Sequence, residues 1–204
     1  MTTAVKLDAP ARARTNPPTT AEELQAWYDD DPGEIVDGVF VPKYPDGVVT
    51  GPGVADSIVA VDIGVLVANH VKQHRLGRVL ASGAATRLRR APDLVRCPDS
   101  MFVSTARLGG GISRGVLEGP PDLAVEVRSP NDRPGEVGRK IADYLAHGVR
   151  TVWDVDPDAR TITVHRPGAL PRALRGDDVL DCGEVLPGFR VATRDVFADL
   201  DLDA

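Results

Sequence analysis

Glu126 stands inside the apolar run Asp122-Leu123-Ala124-Val125-Glu126-Val127, which reads as a buried strand ended by Ser129-Pro130. Removing a carboxylate from water without a partner is expensive, so some group must compensate it. Two kinds qualify: a divalent cation, or an arginine in a structural ion pair. Asp99 tilts the balance toward the cation. It follows Cys97-Pro98 and opens the β-like run ending at Val103, leaving room for a loop and a return strand before Glu126. Mg²⁺ takes hard oxygen ligands in near-octahedral geometry, and a protein typically supplies one or two carboxylates while water completes the shell. Rival Pro-Asp pairs fit less well. Asp122 shares a strand with Glu126, and four residues at ~3.3 Å each separate them by roughly 13 Å. Asp93 lies in a basic, loop-like stretch ahead of the strand.

Other residues have a chemical and a plain reading. Arg128 follows Glu126 by two positions, so both point to one strand face. Lys140 borders the apolar helical stripe of Val137, Ile141, Tyr144 and Leu145. It could neutralise a carboxylate cluster or hold a developing anion, or simply snorkel to water. Glu34 opens the first β-run after a glycine, and composition reads it as a solvated strand end. His70 and His74 have metal-compatible spacing, but without a third ligand they read as solvating a helix end. Gly109-Gly110-Gly111 lacks a following lysine or helix start, so it reads as linkage rather than a phosphate cradle.

These residues must be positioned by a mixed set of elements. Residues 1–18 have no apolar period and read as a flexible arm, leaving one domain over 19–204. Thr20-Ala21-Glu22-Glu23 is a capping box opening a short helix through Trp27, which Asp29-Asp30-Asp31 breaks. Asp37-Gly38 divides two β-rich runs as a tight hairpin turn. Tyr44 to Gly53 reads as a loop. Residues 54–73 form a long helix, with Val54, Ile58, Val61 and Val65 as one stripe and Val59, Ile63, Leu66 and Val67 widening it. Short strands follow over 79–81, 85–88, 99–103 and 122–127. A helix over 134–147, N-capped near Asn131 or Asp132, ends at Gly148, and a hairpin spans 151–165. That order predicts a layered α/β fold.

The whole chain limits the function classes. Its 204 residues, 42% hydrophobic, suffice for one core. Cys97 and Cys182 give no disulfide framework, which suits a reducing compartment. The N-terminus lacks the apolar run of a signal peptide, and Ile58 to Val71 reads as too short and polar to span a bilayer. A soluble, cytoplasmic protein without membrane partners is expected. The net charge of −6 disfavours avid nonspecific binding of nucleic acid. Charge is unevenly distributed, however, with a basic stretch from Lys72 to Arg96 and an acidic tail after Asp177.

Several runs, taken in order, carry a family resemblance. They are Glu34-Ile35-Val36-Asp37-Gly38, Arg96-Cys97-Pro98-Asp99, Pro121-Asp122 through Val127 with Ser129-Pro130, Lys140 with Tyr144, Gly148-Val149, Val152-Trp153-Asp154-Val155-Asp156-Pro157 and Leu186-Pro187-Gly188-Phe189. Over roughly residues 20 to 197 the chain resembles the Uma-two family of restriction-endonuclease-like proteins, within the PD-(D/E)XK nuclease superfamily. The resemblance implies a mixed sheet flanked by helices and Mg²⁺- or Mn²⁺-dependent hydrolysis of DNA. It also implies Asp99, Glu126 and the Val127 carbonyl as metal ligands, Glu34 as the acid of the N-terminal region, and Lys140 as the catalytic lysine. In the simplest superfamily pattern that lysine stands where this chain has Arg128. Many relatives carry a His near the start of the long helix, where this chain has Val54-Ala55-Asp56-Ser57. Arg87, Arg89, Arg90 and Arg128 are the candidate phosphate contacts, DNA and a second copy of the chain the expected partners. The alternative is a catalytically silent nuclease-fold module that binds nucleic acid or a protein.

Overall fold

The computed structural model describes residues 16–27, 32–43, 53–109, 111, 114–130, 132 and 135–201. Most of the expected N-terminal arm, the Asp29–Asp31 break, most of the 44–53 loop, Gly110, Asn131 and Pro134 lie outside the described residues. The chain passes repeatedly between two compact units, one drawn from 1–51, 85–97 and 113–119, the other from 52–84, 98–112 and 120–204.

Among its described residues the first unit has one helix and five strands. The helix α1 (Ala21–Trp27) starts as its capping box predicts, with Glu23 N–H bonded to Thr20 Oγ1 at 3.3 Å and Thr20 N–H to Glu23 Oε2 at 3.2 Å. Strands β1 (Gly33–Val36) and β2 (Val39–Pro42) pair with Val36 opposite Val39, so the turn is the dipeptide Asp37-Gly38. Both turn residues have positive φ, 54° and 76°, the twist a two-residue hairpin requires. Strands β4 (Thr86–Arg89), β5 (Leu94–Arg96) and β7 (Leu117–Glu118) complete a sheet ordered β2-β1-β5-β4-β7. Ala21, Leu24, Ile35 and Val95 are its buried apolar centre.

The second unit holds the larger sheet, built from β3 (Gly77–Ala81), β6 (Ser100–Ser104), β8 (Leu123–Val127), β9 (Thr151–Asp156), β10 (Thr161–His165) and β11 (Arg172–Arg175). Their order is β11-β10-β9-β8-β6-β3. All neighbours are antiparallel except β8 and β9, whose parallel pairing requires the crossover helix α3 (Glu136–Ala146). A small pair, β12 (Val179–Asp181) with β13 (Arg190–Ala192), and a 3₁₀ segment over Thr193–Asp201 complete the unit.

The long helix α2 (Val54–His74) covers one sheet face. Its buried ridge is Val59, Ile63, Val67 and Val71, packed with Phe102, Leu123, Val125, Trp153 and Val155. Val54, Val61 and Val65 of the expected leading stripe stand exposed. The helix is apolar on almost every side, so periodicity could not single out the buried face. At 21 residues α2 is also long and apolar enough to cross a membrane, contrary to the sequence reading of 58–71. In the structure its buried ridge lies on the sheet. The carboxylate of Asp56 accepts the Gly53 N–H at 2.9 Å and so caps this helix.

Candidate active site

Strand alternation decides which side chains share a face. Leu123, Val125 and Val127 of β8 point into the core beneath α2, so Glu126 points to the opposite face, where α3 lies. Glu126 is 4% exposed. Its two oxygens are held separately: Tyr144 donates its hydroxyl to Oε1 at 2.6 Å, and Lys140 Nζ lies 2.5 Å from Oε2. Lys140 and Tyr144 stand four residues apart on α3, one turn of one face. Among the described residues, a lysine and a tyrosine compensate this carboxylate. Lys140 projects toward the sheet instead of snorkelling away from it.

Asp99 directly precedes β6. The β6–β8 ladder ends where Ser100 pairs with Val125, which brings Asp99 to the Glu126 segment of β8. Backbone bonds secure it there. The Asp99 N–H donates to the Val125 carbonyl at 3.0 Å, and Asp99 Oδ2 accepts the Val127 N–H at 2.8 Å. Asp99 is therefore fastened to both chain neighbours of Glu126. The residue is half-buried and also lines a groove of about 530 Å³ between α2 and β3, with Gly64, Lys72, Arg78 and Ser100 among its walls.

This donor set suits a hard cation. Asp99 and Glu126 offer the hard carboxylate oxygens that such a cation takes. Among the described residues no three His, Cys, Asp or Glu side chains converge as a ligand set. Two carboxylates with water and a carbonyl is the habit of Mg²⁺ or Mn²⁺ rather than of a closed zinc site.

Arg128 continues the Glu126 face past the end of β8. It makes a bidentate pair with Asp154 of β9, Nε to Oδ1 and Nη2 to Oδ2, both at 2.7 Å. Asp154 is the site residue that sequence reasoning passed over. It sits in the apolar strand Val152-Trp153-Asp154-Val155, the same signal that drew attention to Glu126.

The remaining expected charged residues of the first unit meet opposite charges there. Glu34 is no solvated strand end: its Oε2 pairs with Arg96 at 2.6 Å and its Oε1 accepts the Cys97 N–H at 2.8 Å. Arg87 is 4% exposed, with its guanidinium turned to Glu22, Asp93 and Glu118. Those three carboxylates, not solvent, surround the guanidinium. Arg89 pairs with Asp37, and Arg90 with Glu118 at 2.9 Å. The sequence grouped these arginines as a basic stretch; folding supplies each with an acid from elsewhere in the chain. His70 bonds the Pro187 carbonyl at 3.0 Å and meets Phe189 edge-on, so it secures the Leu186–Phe189 loop in the second unit.

A mixed sheet flanked by helices, with Asp99 and Glu126 on neighbouring strands, defines a restriction-endonuclease-like fold. The chain belongs to the Uma2 family, described as "Putative restriction endonuclease", whose profile matches residues 21–195. Membership supports a nuclease function in general terms. Among solved structures, a "putative nuclease belonging to DUF820" from Anabaena variabilis is similar at a TM-score of 0.68 and 20% identity, covering 81% of this chain and 89% of that one. That likeness shows the fold. No curated protein matches the chain.

Proposed function

We propose that this chain is a Mg²⁺- or Mn²⁺-dependent endonuclease that hydrolyses phosphodiester bonds in DNA. The observation carrying this reading is Asp99 bonded to the Val127 N–H beside Glu126, with Lys140 on Glu126. Asp99, Glu126 and the Val127 carbonyl would hold the cation. When bound, it supplies Lewis-acid activation of the phosphate and of the attacking water. Lys140 holds a positive charge beside the position where the pentavalent phosphorus gains negative charge. Tyr144 fixes the orientation of Glu126 by its hydroxyl bond. Arg128 contributes a phosphate contact from the same face.

A second reading, a silent module that binds nucleic acid or protein, is favoured by one observation. Arg87, Arg89, Arg90 and Arg96 are all paired with acids, which weakens the positive potential that a phosphate backbone requires. The test is a nuclease assay on plasmid and single-stranded DNA with Mg²⁺ or Mn²⁺, beside Asp99→Ala. Cation-dependent cleavage that falls on the order of 100-fold or more in Asp99→Ala supports the enzyme. DNA binding without cleavage under any of these conditions supports the silent module.

A further inference from the structure

Strand β9 carries a carboxylate for which the chemistry above has no use. Asp154 pairs with Glu126 across the parallel β8–β9 ladder, so the two side chains are neighbours on one face. Asp154 is 4% exposed, and a carboxylate so deep requires an answering charge. His165 of β10 lies behind it, Nε2 at 3.9 Å from Asp154 Oδ2 and without a hydrogen bond. Burial holds that imidazole below its ordinary value, against the pull of Asp154, so it is neutral at neutral pH. Arg128 is the cation that Asp154 faces.

The way it faces Arg128 matters. A guanidinium offers five N–H groups in one plane. Side-on pairing with Asp154 uses Nε and one Nη2 hydrogen. The second Nη2 hydrogen and one Nη1 hydrogen form the outer end of the fork. Nη1 is 3.6 Å from Asp156 Oδ2, an ion-pair distance longer than a hydrogen bond. The Arg128 side chain is 49% exposed, so this outer end is open to solvent. A free arginine loses rotamer freedom when it grips a phosphate; one already fixed by two bonds loses less.

We infer that Asp154 is a positioning residue that holds the Arg128 guanidinium side-on, so that its outer Nη1–Nη2 edge grips a substrate phosphate beside Asp99 and Glu126. The inference rests on the nuclease reading above. Asp154 touches no reacting atom and acts through Arg128.

The test compares the parent with Arg128→Gln, Asp154→Asn and the double variant. Anisotropy of a labelled DNA duplex is measured without divalent cation across a NaCl series, cleavage kinetics with Mn²⁺, and thermal unfolding for each protein. Arg128→Gln should weaken binding and reduce the salt slope by about one phosphate contact. Asp154→Asn should lower kcat/KM about tenfold or more, and the double variant should be no worse than Arg128→Gln, because the two act as one unit. Should Asp154→Asn fail to fold, Arg128→Lys carries the test: it keeps the charge and the salt slope but loses cleavage, since an ammonium cannot be held side-on. A folded Asp154→Asn that binds and cleaves like the parent overturns the inference. So do losses that multiply in the double variant, a parent that cleaves no better than Arg128→Gln, or an Arg128→Lys that cleaves like the parent. A parent that neither binds nor cleaves DNA overturns the nuclease reading and this inference with it.

Discussion

Glu126 is held by two groups of different character, and they should separate by mutation. Tyr144→Phe removes one hydrogen bond to the charged carboxylate and should cost about 1.5–3 kcal/mol of stability. Its effect on cleavage should be modest, because Lys140 still neutralises the carboxylate. Lys140→Met removes the cation and should lower kcat on the order of 100-fold or more, as expected for a lost electrostatic stabiliser. Cleavage kinetics beside denaturant unfolding check both, and equal kinetic losses would contradict the assigned roles. Asp99, Glu126 and Lys140 were legible because each interrupts a local pattern: a Pro-Asp opening a strand, a carboxylate within an apolar run, a lysine bordering an apolar stripe. Asp154 interrupts its strand in the same way. The bidentate partner that explains it was not legible, since strand β9 reaches β8 only through the α3 crossover.

At the level of elements, α2 and the arginine cluster of β4 each make a testable demand. Ile63 belongs to the buried ridge, so Ile63→Ala should cost about 2–5 kcal/mol. Val65, at 50% exposure, should tolerate Val65→Ala within about 1 kcal/mol. Chemical denaturation decides between this ridge and the stripe expected from sequence. In the first unit, the hydrogen bond from Arg87 pulls Glu22 from 4.5 to about 2. The same guanidinium lowers Glu118, while at Asp93 burial opposes a lowering by Ala21 N–H and Arg87. Folded values below unfolded ones mean that this stabilisation is complete above about pH 4.5 and fades as pH falls toward 2. Thermal unfolding at pH 7, 4 and 3 should show a progressive fall that Arg87→Met flattens; parallel pH curves would contradict it. The short helix, the Asp37-Gly38 hairpin and the core strands were legible from local signals. The brief strands β5, β7, β11, β12 and β13 were not, because two to four residues carry too little period and owe their pairing to distant partners.

Across the whole molecule, the arginines at the C-terminal end of the basic stretch are each answered by an acid. Arginines from 87 to 96 meet Glu22, Asp37, Glu118 and Glu34, which stand far away in the chain. Charge runs read along a sequence report composition, whereas potential depends on which acids the topology brings back. The candidate centre rests instead on strand order: β6, which Asp99 directly precedes, β8 with Glu126 and β9 with Asp154 are adjacent in one sheet. Its central claim is that Asp99 and Glu126 together hold one divalent cation. The most direct measurement is Mn²⁺ binding by calorimetry to the parent, Asp99→Asn and Glu126→Gln at neutral pH. One site per chain is expected in the parent and its loss in both variants, with each variant still folded by circular dichroism. Equal Mn²⁺ binding by the parent and both variants, or no binding by the folded parent, would contradict it.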